Sequence, residues 1–294
     1  MDFLTLKHLK PKDIEEIIDL SIDLKKNPEK YSQAAKGKTL AMLFQKTSTR
    51  TRCSFETAMT QMGGHGQYLD WRTTNFTLGA LKDEIRCLER YVDIIMARVY
   101  KQKDLETMAL FSRVPVINGL SDMYHPCQAL ADLLTIKEKM GGFDGVKLAF
   151  VGDGNNVCHS LILACAKMGI KISVATPAGY EPSPEVVSAV KKYNKLTLTH
   201  NPKEAVNAAD IVYTDTWVSM GQEAEKEKRL KVFRPYQVNR DLLGSSNPLI
   251  MHCLPAHRGY EITDEILDSP YSVVFDQAEN RLYVQKAVIL KLLQ

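Results

Sequence analysis

Apolar and polar positions along the chain follow two rhythms, and the switch between them repeats from one end to the other. Thr39–Phe44, Gln67–Asp70, Ile94–Arg98 and Val114–Asn118 are brief apolar runs bounded by polar stretches, and they read as strands. Longer segments between them return apolar side chains at helical spacing: Lys12–Lys26 behind Pro11, Thr51–Met62, Lys82–Tyr91 and 126–140. The last is opened by His125-Pro126, with proline in the first turn, where its missing N–H costs nothing. After Gly141-Gly142-Phe143-Asp144-Gly145 the rhythm restarts, with strands at Val146–Gly152, Lys171–Thr176, Ile211–Thr214, Leu249–His252 and Val273–Phe275. Helices are expected at Val157–Met168, Ser183–Tyr193 and Glu279–Leu293. Such alternation predicts an α/β protein whose two domains each hold a mostly parallel sheet flanked by helices. The glycine-rich segment divides them into 1–140 and 141–278, and the C-terminal helix 279–294 is expected to return to the first domain.

Composition narrows what such a chain can do. At 294 residues, with 45% apolar and 25% charged positions, there is ample material for two cores, which excludes a disordered chain. A formal net charge of +3 is too small for a nucleic-acid or membrane-surface protein, yet it leaves room for a local cationic pocket. No run approaches the roughly 18 apolar residues of a membrane span. The N-terminus lacks a basic stretch followed by an apolar one, so no signal peptide is expected. The six cysteines (53, 87, 127, 158, 165 and 253) form no C-x-x-C pair, which argues for a reducing, cytoplasmic setting rather than a disulfide framework or structural zinc. Five of them are read as buried small hydrophobes.

The sharpest local signal is Gln45-Lys46-Thr47-Ser48-Thr49-Arg50-Thr51-Arg52, between a strand and a helix. A helix N-terminus offers unpaired N–H groups and partial positive charge, and hydroxyls and guanidinium groups added there make an anion site. A plain cap would not need two arginines working against the dipole, and a guanidinium fork matches phosphate geometry. His125-Pro126-Cys127-Gln128 puts two donors on one side of a helical turn. Arg98 ends an apolar strand at the edge where open α/β sheets take ligands. Gly152-Asp153-Gly154-Asn155-Asn156-Val157 invites a dinucleotide reading, but the third glycine is missing, and the next strand ends in Val174-Ala175-Thr176-Pro177 without the acid a ribose needs. Asn156 could instead meet a carboxylate, or only shape a turn. Asp215, with Ser219 four residues on in Asp215-Thr216-Trp217-Val218-Ser219-Met220-Gly221, could hold an ammonium group or cap its strand. The charged stretch up to Tyr236 fits either a solvated surface helix or a mobile flap. In Met251-His252-Cys253-Leu254-Pro255 a functional thiol is conceivable. A metal reading through His252, Cys253 and His257 is poor, because neighbouring strand residues face opposite ways.

In this order Ser-Thr-Arg-Thr-Arg, His-Pro-x-Gln, Asp-Thr-Trp-x-Ser-Met-Gly and His-Cys-Leu-Pro resemble the aspartate/ornithine carbamoyltransferase family, and the last two its ornithine branch. The resemblance covers nearly the whole chain. It implies transfer of a carbamoyl group from carbamoyl phosphate to the δ-amine of L-ornithine, giving citrulline and phosphate. It implies that Ser48, Thr49, Arg50, Thr51 and Arg98 bind the phosphate. His125, Gln128, Arg281 and the backbone at Cys253 and Leu254 would take the carbamoyl end, and Asn156, Asp215, Ser219 and Met220 the amino-acid head of ornithine. Cys253, Arg98 and His125 would assist the chemistry, and Cys253 is expected beside a cationic pocket that favours its thiolate. No metal or organic cofactor is implied, and the family is typically a homotrimer. Two departures concern a neighbouring subunit's share of the site: Leu78-Gly79-Ala80 stands where Gly-Glu-Ser/Thr is common, and Thr74 where Gln or His is. A sister enzyme using putrescine or an acylated ornithine, and a non-catalytic binding protein of the same fold, remain as alternatives.

Overall fold

The computed structural model of the protein describes residues 2–218 and 223–294. The chain forms two compact units, Met1–Leu134 together with Glu279–Gln294, and Thr135–Ala278. The division falls before the glycine-rich segment, inside a helix.

Unit 1 is built on four parallel strands, β1 (Thr39–Phe44), β2 (His65–Asp70), β3 (Ile94–Arg98) and β4 (Val116–Leu120), in the order β2-β1-β3-β4. Its helices are α1 (Pro11–Lys26), α2 (Thr49–Gln61), α3 (Leu81–Leu88), α4 (Gln102–Phe111) and the first part of α5 (Pro126–Met140). The central strand β3 is buried along its whole length, as the unbroken run Ile94-Ile95-Met96-Ala97 requires of a strand covered on both faces. Ala41, Leu43, Ile95 and Ala97 pack with Ile85, Leu105 and Met108 of α3 and α4 to form one core. The β3–β4 register shifts between Ala97 and Arg98, a kink that re-aims the side chain at the strand's end.

Unit 2 repeats the plan with five parallel strands, β5 (Lys147–Val151), β6 (Lys171–Ala175), β7 (Leu196–Thr199), β8 (Ile211–Thr214) and β9 (Leu249–His252), in the order β7-β6-β5-β8-β9. The helices here are α6 (Asn156–Lys167), α7 (Pro184–Val190), α8 (Pro202–Val206), α9 (Lys226–Phe233), α10 (Arg240–Leu243) and α11 (Asp264–Leu267). Ala149, Val151, Val212 and Ile250 from the sheet pack with Ala205, Tyr236, Ile262 and Ile266. Helix α12 (Val274–Leu293) closes the chain. Its later part packs on α1, α2 and α5 of unit 1: Lys25 reaches Asn280 (2.8 Å) and Glu279 (3.1 Å), and Lys286 donates to Gln61 (2.6 Å).

Two expectations fail. Val273–Phe275 is no strand: α12 begins at Val274, and the Gln277 N–H already closes a helical turn on the Val273 carbonyl at 2.9 Å. A three-residue apolar run carries no periodicity to tell the two apart. Cys53 and Cys87 are exposed, on the outer faces of α2 and α3; only Cys127, Cys158 and Cys165 are buried.

In each sheet the strand order reverses once, between β1 and β3 and between β5 and β8. Ligands of open α/β sheets sit beyond the carboxyl ends of the strands at such a reversal, where the flanking loops splay apart.

Candidate active site

The unit 1 cluster grows from three loops at the carboxyl edge of its sheet. After β1, Ser48 caps α2 by accepting the Thr51 N–H at 3.3 Å, and its hydroxyl donates to Thr51 Oγ1 at 3.1 Å. A serine in that position spares an orphan N–H of the first turn. Arg98 ends β3 and is buried, and His125 and Gln128 open α5 and are buried too. Arg281 of α12 ties these loops together. Its Nη1 donates to Gln128 Oε1 (2.7 Å) and His125 Nε2 (3.2 Å), and its Nη2 to Thr51 Oγ1 (2.9 Å). Gln128 is held from behind, its Nε2 donating to the buried Asp132 at 2.9 Å.

A guanidinium group only donates, so His125 Nε2 accepts and the imidazole proton sits on Nδ1. Burial first, and then the charges of Arg281, Arg98 and Arg50, hold this imidazole well below the usual histidine range. His125 is therefore a neutral donor among three guanidinium groups. Thr49 and Arg50 lie on the first turn of α2, Thr49 exposed and Arg50 half-buried. Arg52 faces elsewhere: it pairs with Glu56 (3.3 Å) and lies over the Tyr68 ring at 4.1 Å. Thr74 is engaged locally, donating to the Trp71 carbonyl (2.8 Å), and residues 78–80 are exposed.

The unit 2 cluster sits at the other reversal. Gly154 lets the turn after β5 run against 180–182: a Cβ there would lie 2.4 Å from the Pro182 nitrogen. Asn155 caps α6, accepting the N–H groups of Val157 (3.0 Å) and Cys158 (3.1 Å), and its Nδ2 donates to Asp215 Oδ2 at 2.7 Å. Asp215 follows β8 and is buried, and its Oδ1 accepts the Cys253 thiol at 3.0 Å. Within unit 2 the Cys253 thiol thus meets a carboxylate. Leu254 has a positive φ of 58° and donates its N–H to His252 Nδ1 at 2.8 Å. His252 Nε2 faces the buried Glu261 at 3.2 Å, so both ring nitrogens are engaged. Asp215, His252 and Cys253 bring one ligand-type atom each within 4.8 Å of one another. Of the three, Cys253 and Asp215 are hydrogen-bonded to each other, while His252 is taken up by Leu254 and Glu261.

Sequence reasoning named Asn156 and passed over Asn155, although an Asn directly ahead of an apolar helical run is a capping signal. It also passed over Arg229. This buried α9 side chain donates to Asp153 and, at 2.5 Å, to the Trp217 carbonyl, and lies 4.8 Å over the Tyr180 ring. Burial pushes the Asp153 carboxyl up to about 6; the Arg229 charge opposes the rise and Asp215 adds to it. Ser219 and Met220 lie outside the described residues.

With this geometry in hand, comparisons with known proteins agree in both halves. The carbamoyl-P binding domain of aspartate/ornithine carbamoyltransferases matches residues 1–138, and their Asp/Orn binding domain matches 144–292. An ornithine carbamoyltransferase from Pyrococcus horikoshii is 53% identical, covering 99% of this chain and 95% of its own length. One from Archaeoglobus fulgidus is 52% identical, covering 99% and 96%. The solved ornithine carbamoyltransferase of Pyrococcus furiosus superposes with a TM-score of 0.94 at 52% identity, over 98% of this chain and 95% of that one. Shared fold, matching domains on either side of residues 139–143 and half of all residues in common make this chain a member of the aspartate/ornithine carbamoyltransferase family.

Proposed function

We propose that the protein transfers the carbamoyl group of carbamoyl phosphate to the δ-amine of L-ornithine, yielding citrulline and phosphate, as a step of arginine synthesis. The observation that carries this reading is the Arg281 guanidinium, which draws Thr51, His125 and Gln128 from two distant motifs into one buried donor cluster. In this reading Ser48, Thr49, Arg50, Thr51 and Arg98 grip the phosphate. Each charge-assisted hydrogen bond there contributes about 1.5–3 kcal/mol. His125, Gln128 and Arg281 receive the carbamoyl end, joined by the backbone at Cys253 and Leu254. A neutral His125 suits this task, because its Nδ1–H donates a hydrogen bond to the carbonyl oxygen as charge develops there, without adding a cation that would hold the leaving phosphate. One such donor contributes about 2.7–4 kcal/mol to the transition state.

Asn156, Asp215, Ser219 and Met220 hold the amino-acid head of ornithine in unit 2. The buried Asp215 carboxylate answers an α-ammonium, which favours ornithine over putrescine. The δ-amine enters neutral, adds to the carbonyl carbon, and loses a proton as the bond from that carbon to the phosphate oxygen breaks. Freeing the amine of its proton at pH 8 costs about 3 kcal/mol for a lysine-like group. Cys253, donating to Asp215, assists at this amine. The working form is a homo-oligomer, a trimer or a multiple of trimers. A cytoplasmic location fits free thiols at all six cysteines.

A colour assay for the ureido product separates the possible acceptors. With carbamoyl phosphate, ornithine gives citrulline, while putrescine, N-acetylornithine and aspartate give less than about a hundredth of its rate. Equal rates for ornithine and putrescine would remove Asp215 from the recognition of the α-ammonium.

A further inference from the structure

At the edge of the unit 2 sheet opposite Asn155, Asp215 and Cys253, lysines begin β5 and β6 and a third, Lys195, directly precedes the neighbouring β7. Lys147 and Lys171 are register partners on β5 and β6. The pairing of Ile172 with Leu196 sets Lys195, one residue earlier, beside Lys171, and the Ile172 N–H donates to the Lys195 carbonyl at 2.8 Å. Register partners in a parallel sheet face the same side. The result is a row of like charges across three strands, spanning roughly 10 Å at the backbone.

Like charges placed side by side across strands oppose sheet formation unless something answers them. Among the described residues no carboxylate makes an ion pair with any of the three ammonium groups. The nearby Asp210 turns its Oδ2 to the Lys147 backbone N–H instead, at 2.9 Å. The same three lysines line a cavity of about 200 Å³, together with Ser173, Thr197 and Asn207. Ser173 and Thr197 follow Lys171 and Lys195 by two residues, so they share the lysines' face. Flexible ammonium groups beside hydroxyl donors suit phosphate oxygens.

The geometry points to a second anion site here, taking an oligophosphate: a row this wide exceeds the reach of a single phosphate and matches a di- or triphosphate chain. It sits at the sheet edge away from the substrate-binding loops of unit 2, so its occupant does not compete with ornithine for Asp215. Recognition rests on three charged residues lining one cavity, so losing one weakens it steeply.

Isothermal titration of the full-length protein with sodium triphosphate, at fixed ionic strength, tests this. An Arg50→Gln background removes binding at the unit 1 phosphate loop from the signal. Saturable binding is expected there, weakened about tenfold or more by Lys171→Gln and, separately, by Lys195→Gln. In the otherwise unaltered chain both substitutions leave citrulline formation at its usual rate. A parallel titration with ATP separates the sources of the phosphates: equal affinity supports recognition of the chain alone, and tighter binding supports a nucleotide occupant. No saturable binding in the Arg50→Gln background, or unchanged affinity in both lysine variants, overturns the site.

Discussion

Arg281 shows how one residue can set the chemistry of its neighbours without changing their identity. Its two terminal nitrogens fix the Thr51 hydroxyl, the Gln128 amide and the His125 ring at once, and its charge helps keep that ring unprotonated. Removing the cation by Arg281→Met lets the His125 pKa rise, because a repelling charge is gone while burial remains. Below the new, higher value the imidazole carries a proton and its role as neutral donor is lost. The acid limb of kcat/KM for carbamoyl phosphate, followed from pH 5 to 8, is therefore expected to move to higher pH in the variant. The plateau should drop about 100-fold or more, since buried partners lose their donor. A lower plateau with an unmoved limb would mean that Arg281 only binds ligand. The three residues that Arg281 holds were legible one by one, because hydroxyl, imidazole and amide donors sit in motifs whose spacing limits their use. The bond network was not legible, because Gln128 and Arg281 lie 153 positions apart.

At the scale of elements, α9 is where sequence and structure diverge most usefully. The crowd of charges from Glu223 to Arg229 reads as a solvated face or a flap, yet Arg229 and Phe233 turn inward and are buried. A charged residue reveals burial only through its partner, and Asp153 stands 76 positions earlier. Strand β7 escaped for a related reason: it is an edge strand with two exposed residues, so its pattern lacks the apolar run that announces β3 or β5. The buried pair makes a signed prediction. Asp153 has a folded value of about 6, above the ordinary 3.8, so its ionised form costs stability above pH 6, and that cost fades as pH falls below it. Arg229→Leu removes the opposing cation and raises the folded value further. Breaking a buried pair costs about 3–5 kcal/mol. The loss of melting temperature relative to the unaltered chain is expected to be larger at pH 8 than at pH 5. Equal losses at both would show that Asp153 stays ionised, or stays neutral, throughout.

Across the whole molecule, the α/β plan and parallel sheets followed from the alternation of patterns, because a strand covered on both faces cannot hide its apolar run. The return of the closing helix was expected too, and unit 1 is formed from Met1–Leu134 and Glu279–Gln294; what the pattern could not give was that the division between the units falls inside α5. A chain ended after Ala278 lacks the α12 turns that pair with Lys25, Gln61 and Gln128. Phosphonoacetate, a stable mimic of carbamoyl phosphate, should raise the melting temperature of the full chain; at 100 times its Kd the linkage is worth about 2.7 kcal/mol. The shortened chain should show no such rise, and its unit 1 should be cut by protease sooner than unit 2. A rise of equal size in both chains would remove Arg281 from the proposed carbamoyl phosphate site.

The return of α12 also orders events in time. Arg281 leaves the ribosome after every other member of its cluster, so Thr51, His125 and Gln128 wait unjoined while all of unit 2 is being synthesised. A nascent chain of this protein therefore carries all the partners of this hydrogen-bond cluster long before it can join them. Competence to handle a labile acyl phosphate arrives as a late, single event rather than by degrees.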